Sequence, residues 1–229
     1  MTFQTDVLFE DNHLLVVNKP AGVLVQGDKT GDKPLVELCK AYIKKKYDKP
    51  GAVFLGVTHR LDRPVSGVVV FAKTSKALTR MNKLFESGDV KKTYWAIVRK
   101  RPPEDADKLV HWLSKNEKTN VTKARVKQYS GGLRSELHYK LIGQIGQHYL
   151  LEVNPLTGRP HQIRVQLSSI GCPIKGDLKY GYPKPNPDGN IGLHSVRIEF
   201  IHPIKMERIE IKAPLTKNDI WAPFVQLVG

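Results

Sequence analysis

The chain has 229 residues, 40% of them hydrophobic and interleaved with its charges, which excludes a disordered basic tail and allows a sizeable core in one larger domain or two small ones. Its 37 Lys and Arg against 22 Asp and Glu give a formal net charge of +15, the balance of a protein with a polyanionic partner. The excess is concentrated: residues 61–170 hold 20 basic against 9 acidic side chains (+11), while residues 1–60 (9 against 7) and 171–229 (8 against 6) add only +2 each.

In chain order, Leu14–Val17 reads as a buried strand ending at the turn signal Asn18-Lys-Pro-Ala-Gly22. Pro34 opens a helix whose apolar positions are Leu35, Leu38, Cys39, Tyr42 and Ile43, with Lys44–Lys46 on a solvated face. Val68–Lys73 is a second buried strand. Ser75 is the expected N-cap of the next helix, with Leu78, Met81, Leu84 and Phe85 inward and Gly88 as its stop. Lys92–Val98 is apolar on both faces and therefore a covered strand, closed by Arg99–Arg101 and Pro102-Pro103. From Leu109 to Val153 the runs Ala124–Tyr129, Ser135–Ile142 and His148–Val153, parted by glycines, read as antiparallel sheet. Pro160 starts a helix running to Ser169, stopped by Gly171. Gly181–Gly192 is a surface loop, and strands near Leu193–Phe200 and Glu207–Ala213 precede a short helix around Ile220–Leu227. Strands outnumber helices without alternating with them, so the expected class is α+β with a mixed, mostly antiparallel sheet in one continuous domain.

Cys39 and Cys172 are the only cysteines, and they lie far apart and outside any Cys-x-x-Cys spacing, so neither a zinc site nor a disulfide framework is expected. The opening Met1–Asp6 has no leader pattern, and no apolar run approaches the ~18 residues of a membrane helix, so the expected location is cytoplasmic. The eight histidines show no ligand spacing such as His-Glu-x-x-His, and phosphate-loop and dinucleotide fingerprints are missing. No metal site and no nucleotide cofactor are therefore expected.

His59-Arg60-Leu61-Asp62-Arg63 places one carboxylate between two guanidinium groups on a loop leading into a buried strand. Opposite charges favour the ionised form, so Asp62 is either a structural ion pair or a nucleophile. His161 and Arg164 are three apart on the expected helix and share a face, and Arg164 could reach a carboxylate elsewhere. Arg159, in the turn before this helix, could meet a phosphate; the plainer reading of the segment is a capped surface helix. Tyr94, among apolar neighbours, reads by default as a core tyrosine.

Taken in order, four segments resemble the RluA-type RNA pseudouridine synthases over nearly the whole chain. They are Glu10–Gly22, His59–Arg63 with Ser66-Gly67, Lys92-Thr-Tyr94 with Ala96 and Val98, and Thr157–Arg164 continued by Gly171–Asp177 and Tyr180-Gly181. Val65 and Pro160 stand where that family often has Thr, which bears on loop detail. The resemblance implies one catalytic domain over residues 1–229, with a basic central cleft and no S4-type RNA-binding domain ahead of it. It also implies conversion of uridine to pseudouridine in ribosomal or transfer RNA, by a monomer without a cofactor. Asp62 is then the catalytic carboxylate, Arg164 its ion-pair partner and Tyr94 the ring that stacks on the target base. Arg60 would fill the space left by the flipped base, and Arg159 and His161 would bind RNA. The rival readings are a non-catalytic RNA-binding protein of the same fold and a metal-dependent RNA hydrolase using His59, Asp62 and His161.

Overall fold

The computed structural model describes residues 6–215 and 220–228, and the opening residues of the chain, read above for a leader pattern, lie mostly outside that range. By its internal contacts the chain divides into two compact units, residues 1–90 with 195–214, and residues 91–194 with 215–229.

The first unit begins with β1 (Val7–Glu10) and β2 (Leu14–Lys19), an antiparallel pair. All six residues of β2 are buried: the apolar run Leu14–Val17, as a strand covered on both faces requires, and also Asn18 and Lys19. Helix α1 (Leu35–Lys46) buries Leu35, Val36, Cys39 and Ile43 and leaves its terminal lysines outside. Lys46 crosses to Glu10, whose carboxylate also meets Lys73, Tyr42 and Tyr47 at 2.7–3.0 Å. Burial alone would raise the Glu10 carboxyl, but these hydrogen bonds outweigh it and hold the group at about 2. After the two-residue β3 (Gly56–Val57), β4 (Ser66–Ala72) pairs antiparallel with both β2 and β3. Helix α2 (Ser75–Ser87) is capped one residue earlier than expected. Thr74 is extended and its hydroxyl accepts from Ala77 N, while Ser75 is already helical. Gly88, left-handed at φ 81°, ends the helix as expected.

The second unit is built on five antiparallel strands, β5 (Lys91–Val98), β6 (Ala106–Asn116), β7 (Val121–Arg125), β8 (Leu133–Ile145) and β9 (His148–Pro155), in the order β5-β9-β8-β6-β7. The outer strand β7 lies earlier than the Ala124–Tyr129 run suggested. Asn116 begins the turn that sets its register, accepting from Lys118 N and Thr119 N, and Asn116 pairs with Val121. Tyr129 lies beyond β7, its ring under the Arg125 guanidinium and its hydroxyl on Ser114. Helix α3 (Gln162–Ser169) starts two residues later than Pro160, because His161 takes a left-handed backbone at φ 55° and serves as its N-cap. Nor is this an amphipathic surface helix. Every residue from Gln162 to Leu167 is buried, including Arg164 and two glutamines.

The chain returns to the first unit along β10 (Leu193–Ile201), which pairs antiparallel with β11 (Arg208–Lys212). Leu14, Val16, Val68, Val70, Met81, Phe200 and Ile211 form that unit's core, and Ile97, Leu150, Trp221 and Phe224 are central to one in the second. The expected terminal helix is shorter than predicted, a single 3-10 turn at Ala222–Phe224 followed by α4 (Val225–Val228). The α+β class with mostly antiparallel strands is borne out. Among the described residues no helix is long and apolar enough to cross a membrane.

Candidate active site

The loop carrying Asp62 is shaped at the edge of β4. Strand β3 stops at Val57, and the next two residues replace its ladder with side chains: the Thr58 hydroxyl donates to Val70 O (2.7 Å), and His59 Nε2 accepts from Val70 N (3.0 Å). His59 is therefore an unprotonated acceptor at Nε2 and a structural group, its ring packed against Phe85. With β4 satisfied in this way, the chain can leave the sheet. Leu61 turns inward, Arg60 faces solvent and Asp62 is half-buried at the head of a turn closed by Val65 N on Asp62 O (3.0 Å).

Gly67 fixes where that turn rejoins the sheet. Its φ of +114° and its closeness to β10, where an added Cβ would sit 2.2 Å from Ser195 O, admit no side chain. Directly across the β2–β4 ladder from Gly67 stands Lys19, fully buried. Its ammonium donates to Pro20 O (3.0 Å), Val23 O (2.7 Å) and Arg63 O (3.1 Å), one carbonyl for each N–H. Burial pulls the Lys19 amine down to about 7, the negative charge of Asp62 opposes that fall, and Arg63 adds to it.

Arg63 is not held against Asp62. Its guanidinium bonds Gly22 O (3.0 Å) and Asp32 (2.7 Å), while its own carbonyl accepts from Gly22 N (2.8 Å). Both arginines flanking the carboxylate in sequence are exposed, and one of them, Arg63, clamps the loop to the turn after β2.

The remaining candidates belong to the second unit. Tyr94 lies in β5 opposite Val153, 8% exposed. Arg164 is 5% exposed and grips Asp177 side-on, Nε to Oδ2 at 2.7 Å and one Nη to Oδ1 at 2.9 Å. Its guanidinium also stacks 5.1 Å from the centre of the Tyr180 ring. The Tyr180 hydroxyl accepts from Thr122 N (2.9 Å) and lies 2.7 Å from His161 Nδ1, within hydrogen-bond distance. That contact accompanies the left-handed His161. The turn before it is wrapped around the buried Gln162: Oε1 accepts from the Thr157 hydroxyl (2.7 Å) and Arg159 N (3.0 Å), and Nε2 donates to Glu136 O (2.9 Å). Arg159 itself projects into solvent.

Asp62 and Arg60 therefore share one loop of the first unit, and Arg164, His161 and Arg159 share one segment of the second. Asp177, Tyr180, Gln162 and Lys19 are the residues whose importance the sequence reading did not extract. For Asp177 a signal existed: a buried arginine requires an anion, and Gly176-Asp177 lies in the same run of quoted residues. Chemically, the loop of the first unit offers a carboxylate on a fixed turn. The second unit offers a pre-oriented guanidinium, an imidazole bonded to Tyr180 and an exposed cation. Among the described residues no three His, Cys, Asp or Glu side chains are grouped to hold a metal ion.

The family model described as RNA pseudouridylate synthase matches residues 13–169. The chain is 32% identical over 215 residues to ribosomal large subunit pseudouridine synthase C of Vibrio cholerae, covering 91% of this chain and 65% of that protein. It is 34% identical to the protein of the same name from Buchnera aphidicola, over 91% of this chain and 67% of the relative. The chain thus spans about two thirds of the length of these relatives. In fold it is similar to human RNA pseudouridylate synthase domain containing 4, with a TM-score of 0.79, 22% identity, and coverage of 97% of this chain and 92% of the other.

Proposed function

We infer, from the premise that this chain belongs to the RNA pseudouridylate synthase family, that it converts uridine to pseudouridine in RNA, with ribosomal RNA of the large subunit as the substrate. The observation that carries the reading is that the matched segment, residues 13–169, contains Asp62 on its fixed turn together with Tyr94 and Arg164. The names of the curated relatives favour ribosomal over transfer RNA.

The reaction breaks the bond from ribose C1′ to uracil N1 and makes one from C1′ to C5; C5 gives up its proton and N1 gains one. No electrons are gained or lost overall, so the chemistry calls for no cofactor. It calls for a group that traps the sugar or base, or removes a proton, while the glycosidic bond is open, and an ionised carboxylate does either. Asp62 is that group. A paired uridine is out of reach inside its helix and must be flipped out, at a cost of a few kcal/mol in stacking and pairing. Arg60, exposed on the same loop, occupies the vacated place. Tyr94 stacks on the extruded base, and Arg164, oriented by Asp177, is the third catalytic group. Arg159 and His161 hold the RNA backbone, Arg159 from solvent. Residues 1–229 act as one catalytic domain, as a monomer in the cytoplasm.

Asp62→Asn removes the charge and keeps the shape. Pseudouridine mapping on large-subunit RNA should show modification by the wild type and none by the variant, with RNA affinity unchanged. Full turnover by Asp62→Asn would end the assignment of that residue. RNA cleavage that needs a divalent metal and stops on adding a chelator would instead favour a metal-dependent hydrolase.

A further inference from the structure

We infer that a groove in the second unit binds a single-stranded stretch of the RNA substrate, with phosphates on Arg99 and Lys100 and a base against Tyr182. The inference deepens the reading of the chain as an RNA-modifying enzyme and rests on it. The groove has a volume of about 760 Å³, within the range of ligand clefts. Arg99 and Lys100, both exposed, stand at its rim just beyond the end of β5, and Tyr149 and Tyr182 contribute to its walls. Its lining residues include these two cations and no carboxylate.

The floor is fixed before any ligand arrives. Tyr149 pairs with Val98 across β5 and β9, Val98 bridges to Ile174, and Cys172 Sγ meets the Lys100 carbonyl at 3.4 Å. Tyr182 is tied at both ends, its N–H on Asp177 O (3.0 Å) and its hydroxyl 3.2 Å from His148 Nε2. His148 reports the local field: burial first, then the positive charges of Lys175 and Arg99, hold its pKa below the ordinary value.

Cations along a groove beside held aromatic rings are the chemistry of single-stranded nucleic acid, in which the backbone is tracked by charge and each base offers a face to stack. An A-form duplex presents its bases edge-on inside the helix and cannot use the tyrosine face. The neutral lining of Gln144, Gln147 and Ser168 adds hydrogen-bonding partners without repelling phosphate.

The test uses the full chain and a fluorescein-labelled single-stranded oligouridylate, titrated at several salt concentrations. Arg99→Gln with Lys100→Gln should weaken binding roughly tenfold at low salt and flatten the log–log salt slope by about 1.4, two phosphates at about 0.7 each. Tyr182→Ala should cost about tenfold, and Tyr182→Phe, which keeps the ring, should bind as the wild type does. Lys44→Gln with Lys45→Gln removes two exposed charges on α1 and should leave affinity unchanged. An unaltered affinity and slope in the Arg99/Lys100 pair, or an equal loss in the α1 pair, overturns the groove. Pseudouridine formation assayed in parallel separates the two proposals. A wild type that binds through the groove but makes no pseudouridine keeps this site and sinks the isomerase, and a wild type that isomerises while the groove variants bind normally does the reverse.

Discussion

Around Asp62 most of the contacts that set the loop end on backbone atoms, whereas the contacts Arg164 makes with Asp177 and Tyr180 run between side chains. In the first region, carbonyls of Pro20, Val23 and Arg63 surround one lysine, Gly22 and Arg63 exchange main-chain bonds, and Gly67 meets Ser195 backbone to backbone. In the second, Arg164, Asp177, Tyr180, His161 and Thr122 are linked by a guanidinium fork, a ring stack and two hydroxyl contacts. The difference teaches which substitutions each region tolerates. A loop framed by main chain is sensitive to bulk and backbone conformation, while a segment framed by charged side chains is sensitive to loss of one partner.

The largest expected effect belongs to the backbone-framed region. Gly67→Ala demands a Cβ where Ser195 O already stands, in a conformation L residues avoid, and should cost more than about 4 kcal/mol in urea unfolding of the full chain. A loss below 1 kcal/mol would show that β4 and β10 can part, and the contrast between the regions would blur.

Next comes Asp177→Ala, which leaves Arg164 buried with its fork unmatched and should cost about 3–5 kcal/mol. Replacing both, Arg164→Met with Asp177→Leu, should restore most of that stability because no buried charge is left unpaired, yet turnover should stay lost. Recovery of both stability and turnover would make the pair purely structural.

The third effect is a pH dependence, spread over several pH units. Lys19 sits below its ordinary value of 10.5, at about 7, so burial of its charged form is a cost present in full below pH 7. As pH rises from about 7 toward 10.5 the folded protein binds fewer protons than the unfolded chain, and stability from this group rises by up to about 1.4 kcal/mol per pH unit. The wild type should gain on Lys19→Met across that window in paired urea titrations. A constant difference would mean that the three carbonyls and Asp62 keep the amine charged throughout.

Sequence periodicity made the strands legible, because β2, β4 and β5 are apolar runs bounded by turn residues and nothing in the tertiary structure competes with that pattern. Gly88 and Gly171 were legible as helix stops because only a left-handed residue ends a helix in that way. The start of α3 was not. Pro160 is a sound first-turn residue, but His161 is left-handed and its ring meets Tyr180, nineteen residues beyond, and local propensity carries no information about that contact. The same holds for Arg164: its place on a helix was readable, but its burial was not, since the helix is covered all round by elements distant in sequence. Asp62 stood out through its flanking arginines, although Arg63 is engaged with Gly22 and Asp32. The charge pattern drew attention to Asp62 without describing its surroundings.

The clamp formed by Lys19 and Arg63 has a consequence for how this region can change. It joins the end of β2 to the residue after Asp62, so everything between Gly22 and Arg63, α1 included, is an excursion whose two ends are pinned together. Lengthening a pinned excursion costs only logarithmically in closure entropy, about 0.6 kcal/mol for each doubling. Residues added or removed near Thr30 or Gly51, both exposed, would alter the surface that the excursion presents while leaving the carboxylate in register with the sheet. The placement of Asp62 is in this sense insulated from the length of the chain that precedes it, and a new surface can be grown there without disturbing the carboxylate.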